Sequence, residues 1–410
     1  MAWQRFLHLL IVLVLATALT EVSASQTFTI LHSFSGGIDG AQPRGVALAP
    51  GGDLYGTTIF GGSHGRGTAF RLKLAGGGWV LSSLHSFQAG NDGADPVARV
   101  VFGPGNILYG STDSGGVDNL GVVYSLTPPL SICRAIQCPW TYTVIQQFTG
   151  PNGAYPGYAD LIVDNQGRVY GTTIEGGAED SGTVYRLTGS GGNWTEDVLY
   201  SFQFGGTNSF SPYSGVIFDA AGNLYGTAQG GGANQDGVVY ELVKSGSNWT
   251  YADLHDFDLT DGAEPAGGLV FDRSGNLFGT APYGGAYGDY YSGGTAYELS
   301  PGGGGWTIDV LHSFPNDAEL PGPLVGLTMD AAGNLYGSAL TGCEFGHGCI
   351  FKLTFSGGAW NYSSLHDFTG GVDGGAPLNV LLDAAGNLYG VASCSSEIDD
   401  CNGTVWEITP

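Results

Sequence analysis

The sequence predicts an all-β fold, a seven-bladed β-propeller in which every blade contains four antiparallel strands. Three observations predict it: one motif recurs seven times, each repeat contains four short apolar runs, and the two chain ends carry complementary strands. The motif is a variant of Gly-Asn-Leu-Tyr-Gly-Thr, and its aromatic position recurs every 53 to 61 residues, at Tyr55, Tyr109, Tyr170, Tyr225, Phe278, Tyr336 and Tyr389. A period near fifty residues is typical of stacked supersecondary units such as propeller blades.

The fourth repeat shows how one unit predicts four strands. Its short runs are rich in β-branched and aromatic residues and occupy residues 215–219, 224–228, 237–242 and 249–257. Clusters of Gly, Asn, Asp and Ser separate them, and this pattern indicates antiparallel strands joined by hairpins. Seven such units favour a propeller. A stacked β-solenoid is the alternative, but its repeats are usually shorter.

The turn between the first and second strands has the form Asp-x-x-Gly-Asn. It begins at Asp164, Asp219, Asp272, Asp330 and Asp383, with Arg168 replacing the Asn in the first of these. An Asp side chain accepts hydrogen bonds from nearby backbone N–H groups, and Gly supplies the positive φ that the hairpin requires. We therefore interpret these aspartates as turn formers rather than calcium ligands.

The chain ends predict how the ring closes. The last repeat stops after its third strand, at residues 403–408, whereas the exported chain begins with an unpaired fourth strand at residues 28–34. Seven strands of each type exist only if this N-terminal strand completes the last blade. Such a clasp removes the free edges of the sheets.

Residues 1–24 resemble an export signal, which leaves residues 25–410 as a single propeller domain. Arg5 supplies the positive charge, residues 7–19 form the apolar stretch, and a small-residue cleavage site ends at Ala24. A membrane anchor would need about 20 apolar residues, more than this stretch contains. We expect a secreted, periplasmic or cell-surface protein that is monomeric and has no membrane span after cleavage.

The six cysteines form three local couples in the exported part. They are Cys133 with Cys138, Cys343 with Cys349, and Cys394 with Cys401. An even number in an exported chain predicts disulfides, and short-range pairing is the simplest of the possible connectivities. A zinc site would require further ligands, and only His347 lies nearby.

Net charge narrows the class of partner. Only 12 Lys and Arg residues oppose 37 Asp and Glu residues, giving a formal charge of −25. This charge repels phosphate backbones and anionic lipids, so it argues against nucleic-acid and membrane-surface partners. We expect no cofactor, with weak Ca²⁺ binding as the one form of metal association.

The loops from each fourth strand to the next first strand contain the candidate binding residues. An Asp-Gly pair followed by a proline recurs there, at Asp39, Asp92, Asp261 and Asp373. These loops share one rim with those joining the second and third strands, and aspartates there suit calcium or a polyhydroxyl ligand. Turn chemistry explains the same residues without any ligand.

No catalytic motif is present, and we assign no catalytic residue. The sequence contains no G-x-S-x-G elbow, H-E-x-x-H pair or Walker loop. Five histidines occupy one repeat position, His32, His85, His255, His312 and His366. A residue that recurs in five blades is not a single active site, so we expect these histidines to pack between strands.

The linked motifs LHSF, DGxxP, GNLYGTT and GTVY resemble the Gloeobacter–Verrucomicrobia (GloVer) tandem-repeat family. Good copies occupy residues 84–87, 92–96, 53–58 and 182–185, and the resemblance covers essentially the whole exported chain. It implies an exported bacterial protein, in some members attached to the surface by C-terminal sorting signals. This chain ends at Pro410 without such a signal, which favours secretion or periplasmic residence. The resemblance brings no established catalytic residues.

These observations favour an exported, non-enzymatic binding module. Its ligand is an extracellular carbohydrate or an envelope protein. One alternative is a propeller enzyme, either carbohydrate-active or a lyase of the streptogramin-lyase type. The other is a structural surface protein. Residues that recur in every blade build the scaffold, so function is expected where the copies disagree.

Overall fold

A computed structural model describes residues 26–129, 139–158, 160–287, 293–315, 322–393 and 402–410. These residues form seven four-stranded antiparallel sheets, each of which is one blade of a propeller. The predicted fold class is confirmed. The helical segments within the described ranges are two single turns of 3-10 helix, Gly90–Asp92 and Pro104–Asn106. Nowhere in the described part of the chain does a helix reach the length and apolar character that a membrane crossing requires.

Blades are numbered in chain order, and the strands of the first four are as follows. Blade 1 contains β2 (Ala41–Leu48), β3 (Leu54–Phe60), β4 (Thr68–Ala75) and β5 (Gly78–Ser86). Blade 2 contains β6 (Val101–Phe102), β7 (Leu108–Thr112), β8 (Val122–Thr127) and β9 (Thr141–Gln147). Blade 3 contains β10 (Ile162–Val163), β11 (Val169–Thr173), β12 (Thr183–Ser190) and β13 (Asn193–Ser201). Blade 4 contains β14 (Ile217–Phe218), β15 (Leu224–Ala228), β16 (Val238–Ser245) and β17 (Asn248–Asp256).

The remaining three blades repeat this arrangement. Blade 5 contains β18 (Val270–Phe271), β19 (Leu277–Ala281), β20 (Thr295–Gly302) and β21 (Gly305–Ser313). Blade 6 contains β22 (Thr328–Met329), β23 (Leu335–Ala339), β24 (Cys349–Ser356) and β25 (Ala359–Asp367). Blade 7 contains β26 (Pro377–Leu382), β27 (Leu388–Ala392), β28 (Thr404–Thr409) and, from the other end of the chain, β1 (Thr27–Ser33).

The two chain ends close the ring as predicted. Strand β1 lies antiparallel to β28, with register from Thr27 opposite Thr409 to Ser33 opposite Thr404. The ring of Phe28 also stacks on that of His366 in β25, with centroids 3.7 Å apart. The N-terminal strand therefore contacts both its own blade and the blade before it.

The recurring Leu-Tyr-Gly motif forms the second strand, and its three residues have different roles. Because successive side chains of a strand point to opposite faces, Leu224 packs with Tyr170 of blade 3, whereas Tyr225 packs with Leu277 of blade 5. The core thus lies between adjacent blades. A Cβ on Gly226 would lie 2.5 Å from the hydroxyl oxygen of the buried Tyr240. Glycine is required there because a ring of the third strand crosses that position.

The Asp-x-x-Gly-Asn turns have the predicted internal hydrogen bonds. Asp219 Oδ1 accepts from the backbone N–H groups of Ala221 and Asn223, both at 2.8 Å, and Oδ2 accepts from the Asn223 side chain. The turns that begin at Asp272, Asp330 and Asp383 repeat this pattern. These carboxylates belong to the scaffold.

One predicted cysteine couple lies within the described residues. The sulfur atoms of Cys343 and Cys349 are 2.13 Å apart, the distance of a disulfide. Cys133, Cys138, Cys394 and Cys401 lie outside the described residues, as does the predicted export signal over residues 1–24. Those assignments stay predictions.

Candidate functional site

The four aspartates predicted as binding residues lie in four separate loops and are not brought together into one site. They precede the first strands of blades 1, 2, 5 and 7: Asp39, Asp92, Asp261 and Asp373. In each case a carboxylate oxygen approaches Nε2 of the histidine in the preceding fourth strand, at 3.5, 3.0, 2.8 and 3.3 Å respectively. As ligand-binding residues they stay a prediction.

The histidine–aspartate pair is part of a junction between neighbouring blades that we call a seam. A seam consists of a fourth-strand residue, an acceptor in the following loop, and the facing side chain of the next fourth strand. In the first seam, Asp92 also accepts from the Gln88 N–H at 2.9 Å. The ring of His85 stacks on Tyr142 with centroids 3.8 Å apart. Burial lowers the pKa of His85, against the opposing effect of Asp92. The recurring histidines thus pack between blades, as the sequence predicts.

The seam between blades 2 and 3 has different chemistry. Gln146 replaces the histidine, Asn152 replaces the aspartate, and Glu196 takes the facing position. The side-chain amides of Gln146 and Asn152 both donate to Glu196 Oε2, the second at 2.7 Å. Burial raises the pKa of Glu196 to about 7, although both hydrogen bonds act in the opposite direction. The carboxylate of this seam is therefore supplied by the next blade.

One cluster of metal-ligating side chains occurs among the residues that the structure describes. It contains Cys343, Cys349 and Asp367. Both sulfur atoms are joined in the disulfide, and a disulfide sulfur is not a thiolate ligand. This donor set does not fit a metal ion. Weak Ca²⁺ binding at the rim stays a prediction.

A different candidate site lies at the centre of the ring. A cavity of about 510 Å³ is lined by residues from all seven blades, mostly from the first strands and the loops before them. Glycine, alanine and aliphatic side chains form most of its wall. Five titratable side chains interrupt that wall, Arg44, Arg99, Tyr158, Asp160 and Tyr213. All five come from blades 1 to 4, so the cavity is chemically one-sided.

Three polar residues of the cavity wall, Arg99, Asp160 and Asn379, occupy the same register position in different blades. In each blade this position lies two residues before the residue that pairs with the motif aromatic, and it is glycine in four blades, Gly45, Gly215, Gly268 and Gly326. Blades 2, 3 and 7 have Arg99, Asp160 and Asn379 instead. Arg99 Nε lies 2.6 Å from Asp160 Oδ2, and Asn379 Oδ1 accepts from the Val46 N–H at 3.0 Å. Arg99 and Asp160 thus compensate each other's charge as an ion pair, and Asn379 accepts from the backbone of blade 1.

Arg44 differs because its charge is not compensated. Its Nε is buried and has no hydrogen-bond partner, and no carboxylate of the described chain forms an ion pair with it. Five other arginines do pair with a carboxylate, Arg66, Arg71, Arg99, Arg168 and Arg186. Burial lowers the pKa of Arg44, while Tyr158 and Tyr213 act in the opposite direction.

Two tyrosines lie beside this arginine, and one aspartate lies beside the tyrosines. The rings of Tyr158 and Tyr213 lie with centroids 4.7 Å apart at 36°. Asp113 stands four residues after the motif tyrosine, where blades 1, 3 and 6 have Ile59, Ile174 and Leu340. Burial raises the pKa of Asp113 to about 6, with smaller contributions from Asp95 and Glu175. Asp113 in turn raises the pKa of Tyr158, which burial already elevates.

We call Arg44, Asp113, Tyr158 and Tyr213 the channel-mouth group. It offers a cation without an ion-pair partner among the described residues, two aromatic faces and a carboxyl group whose pKa is raised, which are elements of ligand recognition. Ser214, which also lines the cavity, hydrogen-bonds Thr227 Oγ1 at 2.7 Å rather than a base. The sequence analysis did not single out any of these four residues as a binding residue. The signal that could have identified the group is its departure from the residues that other blades carry.

Comparisons with known proteins agree with the architecture. A family model described as the Gloeobacter/Verrucomicrobia repeat matches residues 18–137, 135–314 and 286–410. No curated protein matches the sequence.

Many solved structures share the propeller fold at low sequence identity. The extracellular domain of a protein described as a one-component system from B. thetaiotaomicron has a TM-score of 0.55 and 10% identity, over 93% of this chain and 40% of that chain. The extracellular domain of a protein described as a hybrid two-component system, from the same organism, has a TM-score of 0.54 and 11% identity, over 94% of this chain and 41% of that chain. A protein described as a 6-phosphogluconolactonase from Bacteroides uniformis has a TM-score of 0.50 and 12% identity, over 85% of this chain and 93% of that chain. This chain thus spans about 40% of the two extracellular-domain chains, and at these identities the likeness shows the fold alone.

Proposed function

The chain belongs to the Gloeobacter/Verrucomicrobia repeat family, and we propose that it is an exported, non-catalytic propeller that binds a carbohydrate at the mouth of its central channel. The observation that carries the proposal is the channel-mouth group. Arg44, Tyr158 and Tyr213 come from blades 1, 3 and 4 and line a cavity whose other walls are mostly glycine, alanine and aliphatic side chains, and Asp113 of blade 2 lies beside the tyrosines. Activity in a repeat fold is expected where the copies diverge, and they diverge here.

The dimensions of the cavity support a small ligand. Its volume of about 510 Å³ falls in the range of small-molecule sites, which is about 300–1,000 Å³. A stable protein partner instead needs about 800 Å² of surface on each side, and a concave channel does not offer such a face. A carbohydrate therefore fits better than an envelope protein.

Export supports an extracellular ligand. The first 24 residues have the features of a secretory signal, and the Cys343–Cys349 disulfide suits an oxidising compartment. Glycans are abundant outside bacterial cells, and their hydroxyl groups and apolar ring faces match a site that combines polar groups with tyrosines.

A binding screen tests the proposal. Mature protein over residues 25–410 would be applied to a glycan array and the hits measured by calorimetry. We expect a saccharide to bind and Tyr213→Ala to weaken it by at least about tenfold, since an aromatic anchor contributes 1.4 kcal/mol or more. Tyr287→Ala is the matched control, because Tyr287 is 65% exposed in a rim loop. Absence of any saccharide binding by the folded protein would refute the proposal.

A second candidate is an enzyme, and Asp113 is the observation that favours it. Its pKa of about 6 suits a general acid near neutral pH, and Tyr158 lies beside it. Mass spectrometry of bound glycans after incubation would separate the candidates. Turnover that disappears in Asp113→Asn supports an enzyme, whereas unchanged glycans support a binding module.

A further inference from the structure

The uncompensated charge of Arg44 identifies the chemical class of the ligand. The protein carries a formal charge of −25, so carboxylates are plentiful, yet none within the described chain pairs with this guanidinium. Two carboxylates of the loops before blades 2 and 3 have partners of their own, although Asp95 Oδ1 has none. Asp160 pairs with Arg99 at 2.6 Å, and Asp95 accepts from Ser114 Oγ at 2.7 Å.

An arginine in this state is a receptor for an anion. A guanidinium remains charged even when burial lowers its pKa, so its desolvation is not relieved by loss of a proton. Removing an unpaired charge from water is costly, and a bound carboxylate offsets that cost through two parallel N–H···O bonds. Within the described part of the chain, Arg44 is therefore a half-buried cation with which the carboxylate of a ligand can pair.

The surroundings of Arg44 indicate a ring-sized monoanion rather than a small inorganic ion. The tyrosines beside it, Tyr158 and Tyr213, form an aromatic wall that an isolated phosphate or acetate would leave uncovered. Asp160 in the cavity wall and Asp113 beside Tyr158 add acceptors for hydroxyl groups. These nearby carboxylates repel a doubly charged ligand group more strongly than they repel a singly charged ligand carboxylate.

We propose that the ligand of the channel mouth is an acidic sugar, a uronic acid unit whose carboxylate pairs with Arg44 while its ring lies against Tyr158 and Tyr213. This inference rests on the proposed carbohydrate-binding function and adds the charge and the orientation of the sugar. The carboxylate lies at the blade 1 side of the mouth, and the ring lies toward blades 3 and 4.

Matched sugar pairs test this inference. Glucose with glucuronate, galactose with galacturonate and mannose with mannuronate differ at C6 only, and each would be titrated into wild-type protein. For at least one pair we expect the acid to bind about tenfold or more tightly than its neutral partner, the value of one good charge-assisted contact. Raising the salt concentration should weaken binding of the acidic sugar and leave binding of the neutral sugar nearly unchanged.

Variants locate the contact. Arg44→Gln should lower the affinity for the acidic sugar by about tenfold or more, and it should change the affinity for the neutral sugar by less than about threefold. Asp113→Asn should strengthen binding of the acidic sugar, because it removes a negative charge beside Tyr158. Arg273→Gln is the control. It makes the same change in net charge at an exposed turn between β18 and β19.

The outcomes separate the inference from the proposed function. Equal binding of acid and neutral sugars, unaffected by Arg44→Gln, would overturn the acidic-sugar inference and leave the carbohydrate function standing. Tighter binding of glucose 6-phosphate than of glucuronate would overturn the carboxylate assignment. No binding of any sugar by folded protein would overturn both. The salt dependence of wild-type binding keeps the test decisive if Arg44→Gln does not fold.

Discussion

At three of the seams that carry histidine, the imidazole ring stacks on an aromatic ring of the facing strand. His85 stacks on Tyr142, His312 stacks on Tyr362 with centroids 4.4 Å apart, and His366 stacks on Phe28. Stacked aromatic pairs contribute about 0.5–1.5 kcal/mol beyond the area that they bury. Packing therefore accounts for His85, His312 and His366, whereas the rings of His32 and His255 contact Phe34 and Phe257 two residues along their own segments.

His85→Ala should destabilise the protein by about 2–3 kcal/mol, since it removes the stack on Tyr142 and leaves Asp92 without its imidazole partner. Urea unfolding followed by tryptophan fluorescence measures the loss. His64→Ala is the control, because His64 is exposed in a rim loop. Equal effects of the two substitutions would contradict a role for the seam.

Glu196 gives one seam a dependence on pH. Its pKa is raised from 4.5 to about 7, mainly by burial, so the folded state holds the proton more tightly than the unfolded state. The stability contributed by that proton is fully present below pH 4.5 and is lost as the pH rises through about 7. The sign is thus opposite to that of a carboxylate in a salt bridge.

Glu196→Gln removes this titration and keeps an acceptor for Gln146 and Asn152. We expect the variant to be about 1 kcal/mol more stable than wild type at pH 8, a value reduced for the partial exposure of the group, and equal to it near pH 4.5. Thermal unfolding across that range checks the prediction. Glu179→Gln, at an exposed rim position, should show no such trend. A stabilisation that grows toward acid pH would refute the sign.

Residue roles were predictable from the sequence where the partner is local. Asp219 bonds atoms within four residues of itself, so the turn motif alone indicates its role. Glu196 meets Asn152 across 44 residues, and Arg44 approaches Tyr213 across an even longer separation. Contacts of that kind depend on the closed ring, and one repeat read by itself does not contain them.

The second strand of each blade shows why the motif recurs as an element. Leucine and tyrosine fill the spaces to the two neighbouring blades, and glycine leaves room for an aromatic ring of the third strand. A larger residue at any of these positions changes the distance between sheets. The motif is therefore conserved within the chain by packing on both faces and along the strand.

Gly226→Ala should cost about 1–3 kcal/mol, the usual range for overpacking, because its Cβ would lie 2.5 Å from the Tyr240 hydroxyl oxygen. Chemical denaturation gives the change. Gly51→Ala is the control, since a Cβ there meets no atom within 4 Å and its φ is not positive. In a double-mutant cycle, Gly226→Ala should cost less in a Tyr240→Leu background than in the wild type, and an equal cost in both would argue against a steric cause.

In blades 2 to 6 the first strand contains only two residues, fewer than the run in the fourth repeat predicts, and the reason is physical. The run over residues 215–219 was expected to be a strand, but only Ile217 and Phe218 pair with β15. A Cβ on Gly215 would collide with the backbone oxygen of Asp160 in the neighbouring blade. Blades converge near the axis, so this part of the chain lines the channel instead of extending the ladder.

At the scale of the whole molecule, the candidate site arises from unequal loops. Ala47 and Ile162 are equivalent residues, because each pairs with the motif tyrosine of its blade. Ala47 follows Pro43 by four residues, whereas Ile162 follows Pro156 by six. Arg44 and Tyr158 therefore do not align in the repeats, although both reach the channel mouth. The number of blades and the closure of the ring were predictable because they follow from the period. The channel-mouth group was not, because it depends on departures from that period.

Ring closure depends on one strand from the far end of the chain, and this leads to a prediction for the complete fold. A chain that starts at residue 35 lacks β1, so β28 keeps a free edge and His366 loses the ring of Phe28. Exposed strand edges promote association between molecules.

We expect the protein over residues 35–410 to unfold at lower temperature and to aggregate, whereas residues 26–410 behave as the mature chain. Calorimetry and light scattering check both. Phe28→Ala keeps the strand pairing and removes only the stack on His366, so it should cost about 3 kcal/mol without aggregation. If the chain without β1 matched the complete one in both measurements, the six remaining blades and three strands of the seventh would suffice, and the clasp would be dispensable.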